Sequence, residues 1–338
     1  MIEGLFSYNN KRQRIDSPYL FTGMILVCIA SWMVAYFLSI GFTIYDKHSS
    51  SPLWSMVCEF LNNKEYVYAT GLLLMFACAF IVHRANYVLA LTKEKTLLPF
   101  FICPFINIFI VDLYPLNPAS FALFFLILAF YVLMRNYHNT ERKCDIYNAA
   151  FIVSLASLLW VHALWFFPLF WMGMYLFRTF SFRTFLASLL GAGTVYWTLL
   201  GWCMWTGDYS FFKKNFYYFM NISFMQLADL SWLDWTFFAF ITLLVIVACV
   251  NIATTFYNNN QRTRQNLRFV IIFYFYTLVL SLLFKQSSQE FLIITCFPIS
   301  ILLSHLFTSS YKKSIRITFY AFLVILIALQ AIRIWETI

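Results

Sequence analysis

The sequence predicts an all-α fold, a polytopic bundle of about eleven membrane-spanning helices, and three observations predict it. The first is composition: 62% of the 338 residues are hydrophobic, 11% are charged, and the mean hydropathy is +0.75. Globular chains carry about 25% charged residues, so a soluble domain is excluded and residues 1–338 read as a single integral membrane domain. The second is a series of apolar runs, several close to the roughly 20 residues that a spanning helix needs. The third is the rhythm of the basic residues. Seventeen of the 23 Lys and Arg fall into six clusters: Lys11/Arg12/Arg14, Arg84/Lys93/Lys95, Arg135/Arg142/Lys143, Arg178/Arg183, Arg262/Arg264/Arg268 and Lys312/Lys313/Arg316. Basic residues are retained on the cytoplasmic side of an inner membrane, so these clusters mark the turns that face inward.

Taken in order, the first run, 19–42, follows a basic flank but exceeds the roughly 7–15 apolar residues of a signal peptide and lacks a small-residue cleavage site. It reads as an uncleaved first span. Further spans are expected at 66–83, 97–113, 119–134, 184–205, 235–257, 269–284, 291–307 and 317–334, with Pro99, Pro104 and Pro298 bending theirs. The stretch 148–177 is uncharged, long for one helix and short for two with a loop. Charge decides it. A hairpin turning near 162–165 leaves 17 basic residues inside and 6 outside, whereas a single span gives 13 against 10. The hairpin gives eleven spans, the N-terminus inside and the C-terminus outside, and Pro168 suits the start of its second arm.

Two outer loops carry ordered-looking segments. In 43–65, Ser51-Pro52 is an N-cap with proline at the first helical position, and Leu53, Trp54, Val57, Phe60 and Leu61 follow at helical spacing. In 206–234, Phe212, Phe216, Phe219, Met220, Phe224, Leu227 and Leu230 recur similarly. Both read as interfacial helices lying on the outer membrane surface.

The net charge of +9 is topological: 17 basic and 5 acidic residues inside, 6 and 9 outside. It points to the lipid bilayer and its anionic head groups as partner, not to nucleic acid. Eight cysteines form no CxxC and no Cys/His cluster, six of them lie in apolar runs, and Cys58 and Cys144 fall on opposite faces. A disulfide framework or a zinc site is therefore not expected, no metal is assigned, and no cofactor can be read. Gly191-Ala192-Gly193 is not a dinucleotide loop; small residues in a span allow close helix packing. No HExxH, GxSxG or P-loop occurs.

Candidate chemistry therefore gathers at the outer face. Asp46 follows the first span, Asp112 ends the third, His162 sits at the hairpin turn, Lys285 and Glu290 bound the loop 285–290, and Arg333 ends the last span. Each has an ordinary alternative: a solvated loop acid, a turn polar group, or a snorkelling anchor. Together, carboxylates and cations at a membrane edge suit a lipid-phosphate-linked substrate, with the cations on phosphate oxygens and a carboxylate as general base.

This order of elements resembles the GT-C class of polyprenyl-phosphate-sugar-dependent glycosyltransferases. Such enzymes carry an acid in the first outer loop, where Asp46 stands, often a second acid in the next, as Asp112 does, and paired short helices like those at 149–172. At the turn of that pair many have a Lys where this chain has His162, and Asp46 lacks the neighbouring acid of their paired motif. The resemblance implies a transferase in which Asp46 is the base, Asp112 orients the acceptor or a divalent ion, and His162, Lys285 and Arg333 hold the lipid phosphate. Over nearly its whole length, best at 144–191, the chain also resembles a family of polytopic inner-membrane proteins of Bacteroidota, which implies a compartment and a fold more than a reaction. Two other functions stay open on the residues alone. One is a non-catalytic scaffold or assembly subunit of a cell-envelope complex; the other is a transporter or flippase, which would normally need more charge within the spans.

Overall fold

A computed structural model describes residues 18–38, 51–61, 63–92, 96–110, 116–138, 143–207, 209, 219, 232–255, 260–309 and 313–337. Twelve α-helices run through them. They are α1 (Pro18–Leu38), α2 (Pro52–Phe60), α3 (Lys64–Leu89), α4 (Leu98–Ile110), α5 (Pro118–Arg135) and α6 (Lys143–Leu159), then α7 (Phe166–Leu176), α8 (Phe182–Thr206), α9 (Trp232–Thr254), α10 (Gln261–Leu283), α11 (Ser288–Ser309) and α12 (Lys313–Thr337). Short 3-10 turns at Val161–Trp165 and Lys285–Ser287 lead into α7 and α11.

Local signals fix several ends. Pro118 opens α5, and the Asn117 side chain accepts the Ala119 N–H at 2.9 Å. Ser181 and Thr184 form a reciprocal capping box at the start of α8, and Gly207 closes that helix at φ 72°, a conformation that glycine adopts without a Cβ penalty. Of the three prolines expected to bend helices, Pro99 falls in the first turn of α4, while Pro104 and Pro298 lie inside α4 and α11.

Seven helices, α3, α5 and α8 to α12, are long and apolar enough to cross a membrane; the apolar stretches Phe21–Phe37, Leu98–Ile108 and Val161–Leu176 are shorter. The described residues are thus all-helical, and the chain is a multi-pass membrane protein. Its helices pack around α11, whose spanning window is 94% buried against 22% for α8 and for α12. Helices α3, α4, α5, α9, α10 and α12 all touch α11.

The stretch 148–177 doubles back. Helix α6 ends at Leu159, the 3-10 turn follows, and α7 returns so that the Phe177 carbonyl accepts the His138 N–H at 3.0 Å, beside the end of α5. Arg262, at the start of α10, donates to the Arg135 carbonyl at 3.0 Å, and Thr263 donates to the Ala90 carbonyl at the end of α3. Ser309 and Asn251 join the ends of α11 and α9. These bonds gather Arg84, Arg135, Lys143, Arg178, Arg183, Arg262, Arg264 and Arg268 at one end of the bundle. The other end carries Glu59, Glu65, Asp234 and Glu290 with Lys64, Lys285 and Arg333. The charge rhythm of the sequence is a physical polarity of the fold.

Cys144 is exposed at the basic end. A membrane-impermeant maleimide applied to intact cells should leave it unlabelled and should label it once the membrane is opened. Labelling from outside would reverse the orientation.

Helix α2 starts as its sequence suggests, with Ser51 extended (φ −75°, ψ 135°) and Pro52 in the first turn, although the Ser51 hydroxyl caps nothing. Its apolar side is divided. Trp54 is only 1% exposed, packed with Val67, Leu116 and the Phe121 ring at 6.1 Å, while Phe60 is 86% exposed. In the loop 206–234, all but the ends and residues 209 and 219 lies outside the described residues.

Candidate functional site at the acidic end

The 3-10 turn between α6 and α7 builds the site. Trp160 leaves α6 in an extended conformation (φ −143°, ψ 107°), which swings its indole out of the helix register toward the start of α11. There its Nε1–H donates to Glu290 Oε2, and the Ser287 hydroxyl reaches the same carboxyl group. Glu290 is 5% exposed. The Trp160 ring lies 4.9 Å from that of Phe291 in an edge-on contact.

His162 is buried in the same nest. Its ring is 5.0 Å from Phe284, 5.7 Å from Trp160 and 5.8 Å from Phe291, and its Nδ1 has no hydrogen-bond partner among the described residues. Trp165 completes the wall: Phe284 lies 5.5 Å away, Phe219 from the loop 206–234 stacks on it at 5.1 Å and 21°, and Tyr276 donates its hydroxyl to the Trp165 carbonyl. The indole N–H of Trp165 is buried and, among the described residues, without an acceptor. Lys285, which follows Phe284, is exposed at the rim.

Of the residues chosen from sequence, the fold brings His162 and Lys285 to one place. Arg333 stands elsewhere at this end, on α12, in an ion pair with Asp234 at the start of α9; both are about three-quarters buried. Asp46 and Asp112 lie outside the described residues, though Leu38 and Ile110, where α1 and α4 end, are both at this end. The residue the sequence undervalued is Glu290. The signal was present in Ser288-Gln289-Glu290-Phe291, an acid opening an apolar helix, with two tryptophans flanking His162 in the opposing turn.

The fold also brings cysteines of four helices close together in the core: Cys103 lies near Cys28, Cys78 and Cys296. Among the described residues no group of three or more His, Cys, Asp or Glu is arranged to hold a metal ion. No protein-family model matches the chain, and no curated protein matches it.

Proposed function

We propose that this multi-pass protein resides in a bacterial inner membrane and works at its acidic, outer end as a GT-C-like transferase, moving a sugar from a polyprenyl-phosphate-linked donor to a periplasmic acceptor. The observation that carries the reading is the gathering at that end of His162 and Glu290 between aromatic walls with Lys285 at the rim, in a fold whose α1 and α4 end on the same side, a few residues before Asp46 and Asp112 in sequence. In this reading Asp46 takes the proton of the acceptor hydroxyl and Asp112 orients the acceptor. Lys285, at the rim, and His162 meet the phosphate. Arg333 joins them only by leaving Asp234, so its first role is to hold α12 against α9.

The test has two parts. Lipids extracted from the detergent-purified protein should contain a polyprenyl-phosphate species by mass spectrometry. In cells lacking the protein, an Asp46→Asn, Asp112→Asn double variant should reach a normal protein level and fail to restore the phenotype, because loss of a general base costs about 10²–10⁴ in rate.

A second reading, a non-catalytic scaffold or assembly subunit of a cell-envelope complex, is favoured by the way the charges here are already satisfied within the protein. Arg333 is neutralised by Asp234, and Glu290 is capped by Trp160. Full complementation by the double variant would overturn the catalytic reading in its favour.

A further inference from the structure

Two polar atoms of the aromatic nest are buried and unpartnered among the described residues. They are Nδ1 of His162, a side chain only 9% exposed, and the indole N–H of Trp165. The fold sets them side by side. Both residues lie in the 3-10 turn Val161–Trp165, where three residues per turn bring positions i and i+3 onto one face. Both rings also press on Phe284, at 5.0 and 5.5 Å. Their polar neighbours are already engaged: the Trp160 indole and the Ser287 hydroxyl with Glu290, and Tyr276 with the Trp165 carbonyl. Buried polar groups without a partner are rare in folded proteins. A few of them among aromatic walls are what a binding site for a small ligand offers.

The chemistry of the two atoms selects the ligand. An indole N–H only donates, so the ligand must present an oxygen acceptor. An imidazole Nδ1 donates or accepts according to its tautomer, and a hydroxyl answers it in both, whereas a phosphate or carboxylate oxygen answers only one. Charge points the same way. Lys285 stands exposed at the rim, so an anion drawn in beside the buried Glu290 would lose its water without a cation against it. The rings of Phe284 and Phe291, both against His162, offer apolar walls to the C–H faces of a sugar ring. The bundle around the site is bathed in lipid, so such a sugar arrives on an apolar tail. We propose that the His162–Trp165 face of this turn seats the uncharged sugar head group of a membrane glycolipid. One ring hydroxyl accepts from Trp165 Nε1–H, and a hydroxyl meets His162 Nδ1. The seat goes beyond the transferase reading, because it holds a sugar whether or not that sugar is transferred. Within that reading it moves His162 from the phosphate to the sugar and leaves the phosphate to Lys285.

Photo-crosslinking tests the seat on the full-length protein in lipid nanodiscs. The probes are octyl glucoside, galactoside and mannoside, each with a diazirine in the alkyl chain beside the glycosidic oxygen, which leaves the ring hydroxyls intact. Peptide mass spectrometry should place the adduct of at least one probe within 160–165 or 284–291. Excess of the plain octyl glycoside should abolish that adduct, and octyl phosphate should not. Trp165→Phe keeps an aromatic ring and loses the N–H, while His162→Leu loses the ring nitrogens. Each should weaken competition about three- to tenfold, the effect of one lost hydrogen bond. His162→Gln keeps a hydrogen-bonding group and should weaken it less. The Asp46→Asn, Asp112→Asn double variant should crosslink as wild type does, so a failed transferase reading would leave this result standing. Absence of a competed adduct with all three probes would overturn the proposal. Equal competition by octyl phosphate would also reject it, as would unchanged competition in both Trp165→Phe and His162→Leu.

Discussion

Replacing Gly191 by alanine should loosen the bundle, whereas the same change two residues on, at Gly193, should leave it intact. A Cβ on Gly191 would meet the Tyr147 carbonyl oxygen at 2.5 Å and the Phe151 nitrogen at 3.1 Å, both backbone atoms of α6 that cannot rotate away. A Cβ on Gly193 meets nothing within 4 Å. Helix α8 must therefore move off α6. That would strain the hydrogen bond from the Tyr147 hydroxyl to Thr194 at 3.1 Å and the link from the Trp171 indole to Ser188 at 3.3 Å. Overpacking of this kind costs about 1–3 kcal/mol, of which the better helix propensity of alanine returns up to about 1 kcal/mol. Leucine keeps most of that propensity gain, but its far larger side chain against the same backbone atoms should block close packing of α8 altogether. Thermal unfolding in detergent should put Gly191→Leu well below Gly191→Ala, and Gly193→Ala at or slightly above wild type. Equal losses at 191 and 193 would mean that α6 and α8 do not meet there.

Trp54→Ala should be among the most damaging single changes outside the spans, and Phe60→Ala among the mildest, although both residues are large, aromatic and on one nine-residue helix. Trp54 is sealed between Val67, Leu116 and Phe121, so truncation leaves a cavity that costs about 3–5 kcal/mol. Phe60 stands away from the protein at 86% exposure and has no such contacts to lose. Limited proteolysis should cut the Trp54→Ala protein near α2 at a temperature at which wild type and Phe60→Ala resist. If all three resist alike, α2 is not seated on the starts of α3 and α5.

The same helix illustrates what a sequence reading reaches. Apolar residues at helical spacing said that 52–61 is a helix with an apolar side, and proline after Ser51 said where it begins. Periodicity cannot say whether lipid or protein covers that side, because a tryptophan looks the same to both. The hairpin at 148–177 was legible for a different reason: its evidence is charge on either flank, and charge at a membrane is a constraint on side, not on contact. Asp234 and Arg333 stand 99 residues apart, and nothing in either neighbourhood announces the other. Glu290 was undervalued because acids are expected outside, where most are solvated; only its burial behind Trp160 sets it apart. The innermost place of α11 was equally hidden among uniformly apolar runs. Its polar residues, Thr295, Ser300, Ser304 and His305, all buried, are the trace that an inward-facing span leaves.

Among the described helices, that innermost one is also made late, after ten others. Helices α3, α4 and α5 end at Leu89, Ile110 and Arg135, well over a hundred residues before Ser288 opens α11, the element that each of them packs against. During that interval the faces that will meet α11 have only lipid, an insertase or one another for company. The bundle closes from the outside inward, and a nascent chain stopped short of residue 288 holds a ring of helices without its axle. Chains truncated there should be substrates for membrane quality control rather than stable sub-assemblies, and the vulnerable period of biosynthesis lasts until α11 is made.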